Sequence, residues 1–65
     1  MATEIVKVDW EVQSVDVGSD RWWCRFYREN EAQARTQLDH ARRFWPEQGH
    51  RLVKVTTVET REVVP

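Results

Sequence analysis

Sixty-five residues with a net charge of −1, four tryptophans and a single cysteine make one small domain, residues 1–65, near the lower size limit for unaided folding. One cysteine excludes an internal disulfide, and Cys24, His40 and His50 lie too far apart for paired metal-ligand spacing. No apolar stretch approaches the roughly 20 residues of a membrane span. The opening MATEIVKVDW has no basic segment leading into an apolar run, so no secretory leader is expected.

The first strand is predicted over IVKVDWEV, residues 5–12. Val6, Val8, Trp10 and Val12 alternate strictly with Lys7, Asp9 and Glu11, the period of a half-buried strand. After Gln13 the apolar set changes parity to Val15 and Val17, which predicts a bulge near Gln13 or Ser14. Gly18, Ser19 and Asp20 supply hairpin-turn chemistry.

A second strand follows from Arg21 to Tyr27. Neighbouring strand residues point to opposite faces, so Trp22 and Trp23 must part company. Trp22, Cys24 and Phe26 are expected to face the core, with Trp23, Arg25 and Tyr27 on the opposite, open face. Asn30 is a helix N-cap with Gln33 in capping-box position. Ala34, Leu38, Ala41 and Trp45 then form one apolar stripe until Pro46 stops the helix. Glu31–Arg35 and Asp39–Arg43 have the spacing of ion pairs on the helix surface. The last strand is read from RLVKVTTVETREVV, with its parity open because Val53 and Val55 oppose Leu52 and Val58.

The expected fold is therefore α+β: a three-stranded antiparallel or mixed sheet in the order 2-1-3 with one helix packed on one face. One helix covers one side of such a sheet, and the other side is left for docking.

Charge is unevenly spread along the chain. Residues 1–20 set five acidic side chains against Lys7 alone, whereas residues 21–54 hold eight basic and four acidic ones. Asp9, Glu11, Asp16 and Asp20 on the hairpin, extended by Glu59 and Glu62, are candidates for an acidic binding surface. Trp23, Arg25 and Tyr27 are candidates for its aromatic anchor. The same three could instead stack unpaired bases. Plain accounts compete with both: solubilising charge that protects a sheet edge, and cross-strand packing of rings around an arginine. No base stands beside a nucleophile, and no glycine-rich phosphate loop or metal cluster is present, so neither catalysis nor a cofactor is expected.

The segments DWEVQSVDV, GSDRWWCRFYRENEAQARTQL and RLVKVTTVETREVV together resemble a class of very small proteins encoded by bacteriophages and prophages. These pair a Trp-containing hairpin with one Ala/Leu-patterned helix and close on an RLV-type strand. Anti-CRISPR inhibitors of β-β-α-β layout are among them. The likeness spans nearly the whole chain but is one of layout, and it assigns no residue by position. It implies a non-enzymatic, stoichiometric inhibitor in the host bacterial cytoplasm. The partner would be a CRISPR–Cas effector subunit with a basic DNA-binding surface, a type I surveillance complex being the first choice. Blocking target DNA would combine carboxylate steering, a partial DNA mimicry, with anchoring by Trp23 or Tyr27. The alternative is a small single-stranded nucleic-acid-binding module using Trp23, Arg25 and Tyr27. A monomer is expected, with self-pairing along the V-K-V-T-T-V edge as a third possibility.

Overall fold

Three strands and one helix follow the order read from the sequence: β1 (Ala2–Val15), β2 (Trp23–Arg28), α1 (Glu31–Phe44) and β3 (Gly49–Glu62). The structure is a computed structural model that describes residues 2–65. β1 lies in the centre of an antiparallel sheet of order β2-β1-β3. Its pairing with β3 runs unbroken from Ala2 opposite Glu62 to Val15 opposite Gly49. The hairpin between β1 and β2 turns at Gly18, whose φ of 79° lies in the left-handed region that a glycine adopts without steric cost.

Asn30 caps α1 as its side chain suggests, with Oδ1 accepting from the Gln33 backbone N–H at 3.2 Å. Ala34, Leu38 and Ala41 form the buried stripe. They pack on Val12, with Phe26 and Leu52 flanking it from the two neighbouring strands. Trp45, expected to end the stripe, caps the helix and is partly exposed. Of the two expected helix pairs, Glu31–Arg35 forms at 3.6 Å. Asp39 and Arg43 make no ion pair among the described residues: Arg43 extends as a solvated cation in the last turn.

Lengths decide the shape. Fourteen helical residues span about 21 Å at 1.5 Å each, while fourteen strand residues span about 46 Å. The helix and the six-residue β2 therefore cover only one end of the β1–β3 pair. Residues from Ala2 to about Val8, with their partners on β3, project as a two-stranded arm. The result is a body of 56 × 25 × 10 Å with a radius of gyration of 16.1 Å, against about 11 Å for a compact 65-residue chain. The alternation Val6, Val8, Trp10, Val12 was expected to face a core along its whole length. Only Val12 reaches one, and Val6 stays 58% exposed because no second layer stands above it.

Register also settles the last strand. Leu52 and Val58 lie opposite Val12 and Val6 on the helix side, and Val53 and Val55 lie opposite Glu11 and Asp9 on the open side.

Candidate functional site

The two sides of the sheet differ in what they place together, and a single extra residue in β2 causes the difference. Val12 pairs with Phe26, yet Gln13 pairs with Cys24, so Arg25 has no partner on β1. The register irregularity falls at Val12 and Gln13, where the parity change predicted it. The inserted residue, however, belongs to β2, while β1 continues straight along β3. Past such a bulge the side chains change faces.

Two expectations are corrected as a result. Trp23, expected on the open face, lies on the helix side opposite Ser14, and Trp22 takes the open side with its ring 4.1 Å from the Arg51 guanidinium. Cys24, expected as core filler, is exposed on the open side opposite Gln13. The doublet does divide between the two faces, but in the reverse sense. Neither indole is enclosed: Trp22 is 37% exposed and Trp23 39%.

The supposed platform of Trp23, Arg25 and Tyr27 is thereby broken up. Arg25 turns to the helix end, where its guanidinium lies 4.3 Å from the Trp23 ring centre and 3.8 Å from that of Trp45. Its Nε donates to Ser14 Oγ at 3.0 Å, and Nη2 donates to Gln48 Oε1. Gln48 Nε2 in turn donates to Asp16 Oδ1 at 2.8 Å. Ser14 is fully buried. Its Oγ also shares a hydrogen bond of 2.8 Å with His50 Nδ1. The Trp45 carbonyl can only accept, so His50 Nε2 donates to it at 2.8 Å. This clamp fastens the β1–β2 hairpin, the end of α1 and the start of β3 to one another. The sequence does carry a trace of it: Ser14 interrupts the inward run of Trp10 and Val12 with a polar side chain that needs partners once buried.

On the open side the register brings Glu11 opposite Tyr27, with Asp9 on the next position of the same face. Val53 and Val55 complete the floor, half-buried. Tyr27 is 46% exposed, whereas Asp9 is only 7% exposed. Lys7 Nζ approaches Asp9 Oδ2 at 3.8 Å, and Asp9 Oδ1 has no hydrogen-bond partner among the described residues. Hydrogen bonding to Asp9, then lost hydration, then the charges of Asp9, Glu29 and Glu11 push the Tyr27 phenol up to about 12. Lost hydration around the sulfur, followed by the neighbouring Glu11 carboxylate, raises the Cys24 thiol.

The remaining acidic candidates lie elsewhere. Asp16 and Asp20 sit at the hairpin end, Asp16 held by Gln48. Glu59 and Glu62 sit near the tip of the arm, Glu59 paired with Arg61 at 3.4 Å. Asp16 and Glu59 are separated by roughly 11 strand residues, or about 35 Å. The nine expected residues thus do not form one surface: Asp9, Glu11 and Tyr27 converge, and the other six are distributed over both ends of the molecule.

A concavity of about 300 Å³ at Phe44, Trp45, Pro46, Glu47 and Gln48 has Glu47 as its one ionisable lining residue. Among the described residues no helix is long and apolar enough to cross a membrane, and no three His, Cys, Asp or Glu side chains gather as a metal site. Comparison with protein-family models, curated proteins and solved structures finds no match.

Tyr27 is the single tyrosine, so its environment can be read directly. Ultraviolet titration of the folded protein is expected to give a phenolate midpoint near 12, above the ordinary value of about 10. Asp9→Asn should bring the midpoint back toward about 10. The sign follows from a raised folded-state value: the stabilisation is complete below the unfolded pKa of about 10 and is lost as pH climbs through the folded one. A wild-type midpoint at the ordinary value would remove the Asp9–Tyr27 contact from the site.

Proposed function

We propose that this chain is a non-enzymatic binding protein that works by occupying a surface of a larger protein. The partner class is a nucleic-acid-handling protein with a basic groove, of the kind a CRISPR–Cas effector offers, and the consequence of binding is exclusion of its DNA. One observation carries the proposal: Tyr27, Glu11 and Asp9 converge on a sheet face that the chain's own helix does not cover. An exposed phenol on one outer strand beside the Glu11 carboxylate of the central strand, with half-buried valines on the other outer strand, supplies an anchor and a charge for steering.

Scattering of the other acidic residues weighs against a phosphate-like row and favours a local, mixed contact. It also reshapes the single-strand reading. A stacking platform needs free rings in a row, but Trp23 and Trp45 already hold Arg25 between them.

The test is target-DNA binding by a purified type I surveillance complex, followed by mobility shift as the protein is added. Stoichiometric loss of DNA binding is expected. Tyr27→Ala and Glu11→Lys should each weaken inhibition about tenfold or more while leaving the fold unchanged. Glu11 is the cleaner charge reversal, because Asp9→Lys would force a second lysine into a nearly buried position beside Lys7. Undiminished DNA binding, or inhibition indifferent to both variants, would reject the proposal. Salt-sensitive quenching of tryptophan fluorescence by oligonucleotides would replace it with the nucleic-acid reading.

A further inference from the structure

The arm poses a separate problem, on the opposite side of the sheet from Tyr27. Its helix-side face carries Val6 opposite Val58 and Val8 opposite Thr56. Val6 and Val58 are both more than half exposed, and Val8 is also exposed. A strand alternating apolar and polar residues is written for a face that gets covered. Here the cover, α1, ends before the pattern does.

The whole chain exposes 5180 Å², whereas a compact monomer of 7.8 kDa exposes about 4,400 Å². The excess of about 800 Å² comes from the elongated shape as a whole, and the helix-side face of the arm is one part of it. Charge indicates which partner. On this same face Glu4 and Glu62 stand at the tip of the arm, while Lys54 and Arg28 stand at its root, on either side of Trp10. Lys54 Nζ is 5.9 Å from the Trp10 ring centre. Glu31, at the near end of α1, is already paired with Arg35.

We propose that the arm docks on a second copy of this chain, helix-side face against helix-side face, in an antiparallel two-fold dimer in place of the expected monomer. The two-fold sets each acidic tip over the other copy's basic root, so that one contact is made twice. Layer heights agree as well. Packed sheets lie about 10 Å apart, and a helix is about 10 Å across. Each arm therefore fills the step beside the partner's helix, in the layer that the helix occupies. Val6, Val8 and Val58 of the two copies become a shared core. The open face with Glu11 and Tyr27 points outward from both copies, so the dimer does not depend on the proposed function.

Sedimentation equilibrium over a wide concentration range tests this with the full chain. Wild type is expected to approach twice the 7.8 kDa mass of the chain. Val6→Asp combined with Val58→Asp should sediment as a monomer with an unchanged far-ultraviolet circular dichroism spectrum, since neither side chain is buried within one copy. Glu4→Lys and Lys54→Glu should each weaken the dimer about tenfold or more, and the two together should restore it to near wild type, a rescue that loss of fold cannot imitate. Glu11→Lys, on the other face, should leave the dimer intact. A wild type that stays monomeric at the highest attainable concentration would overturn the proposal. So would a dimer that survives both aspartates, which would place self-association on the β3 edge, or one abolished by Glu11→Lys, which would place it on the open face.

Discussion

Replacing Leu38 with alanine is expected to leave most molecules unfolded at room temperature. Leu38 is the largest side chain that α1 commits to the core, and its neighbours there are Val12, Ala41, Phe26 and Leu52. Truncating a buried leucine costs about 2–5 kcal/mol through lost transfer energy and the cavity left behind. A core in a chain this small rarely supplies more than about 3–5 kcal/mol in total. The two ranges overlap, so one substitution can consume the whole margin. Ala34 and Ala41 on the same stripe are too small to close the gap. Thermal unfolding followed by circular dichroism reads the result, at fixed protein concentration because association would add stability of its own. A cooperative transition within a few degrees of wild type would show that the core under α1 is not what holds the fold.

Arg25→Ala is expected to cost nearly as much, about 2–4 kcal/mol, taken as one or two charge-assisted hydrogen bonds plus stacking against two rings. The substitution removes the ion from between Trp23 and Trp45 and takes a donor from fully buried Ser14. It also frees Gln48, which ties Asp16 to the chain beyond the helix. Arg25→Lys should recover little, because an ammonium cannot stack flat between two indoles while its neighbouring nitrogens bond Ser14 and Gln48. The informative comparison is between stability and binding. A structural clamp predicts a lower unfolding midpoint for both variants. A binding residue predicts an unchanged midpoint with weakened partner affinity, and that outcome would return Arg25 to the interaction surface.

Arg25 is the residue at which the strand period breaks. Counting in twos gives each residue from Trp22 to Tyr27 a face, a rule that holds only while each residue has a partner across the sheet. The parity change after Gln13 did signal an irregularity, but a bulge is a property of a pair of strands, and the pattern of one strand cannot say which of the two holds the extra residue. Placing it in β2 exchanged Trp22 with Trp23, moved Cys24 outward and drew Arg25 away from Tyr27. Of the candidate site, Asp9 and Glu11 kept their face because β1 runs straight, and Tyr27 kept its face because it lies on the far side of the bulge from the doublet.

What the chain determined by itself is local or follows from chain connectivity. The period of two in β1, the Asn30 cap, the stripe of Ala34, Leu38 and Ala41 and the stop at Pro46 each arise from neighbouring residues. The central position of β1 agrees with the order 2-1-3 expected from the β-β-α-β sequence of elements. Tertiary structure decided which ring of the doublet faces α1, the parity of β3, the capture of Arg25 by Trp45 and Gln48, and the bare length of Val6 and Val58 beyond the helix. Each of these depends on contacts between residues many positions apart. Such contacts are set by how strands pair and by how far a helix of fixed rise reaches along a strand of twice its length.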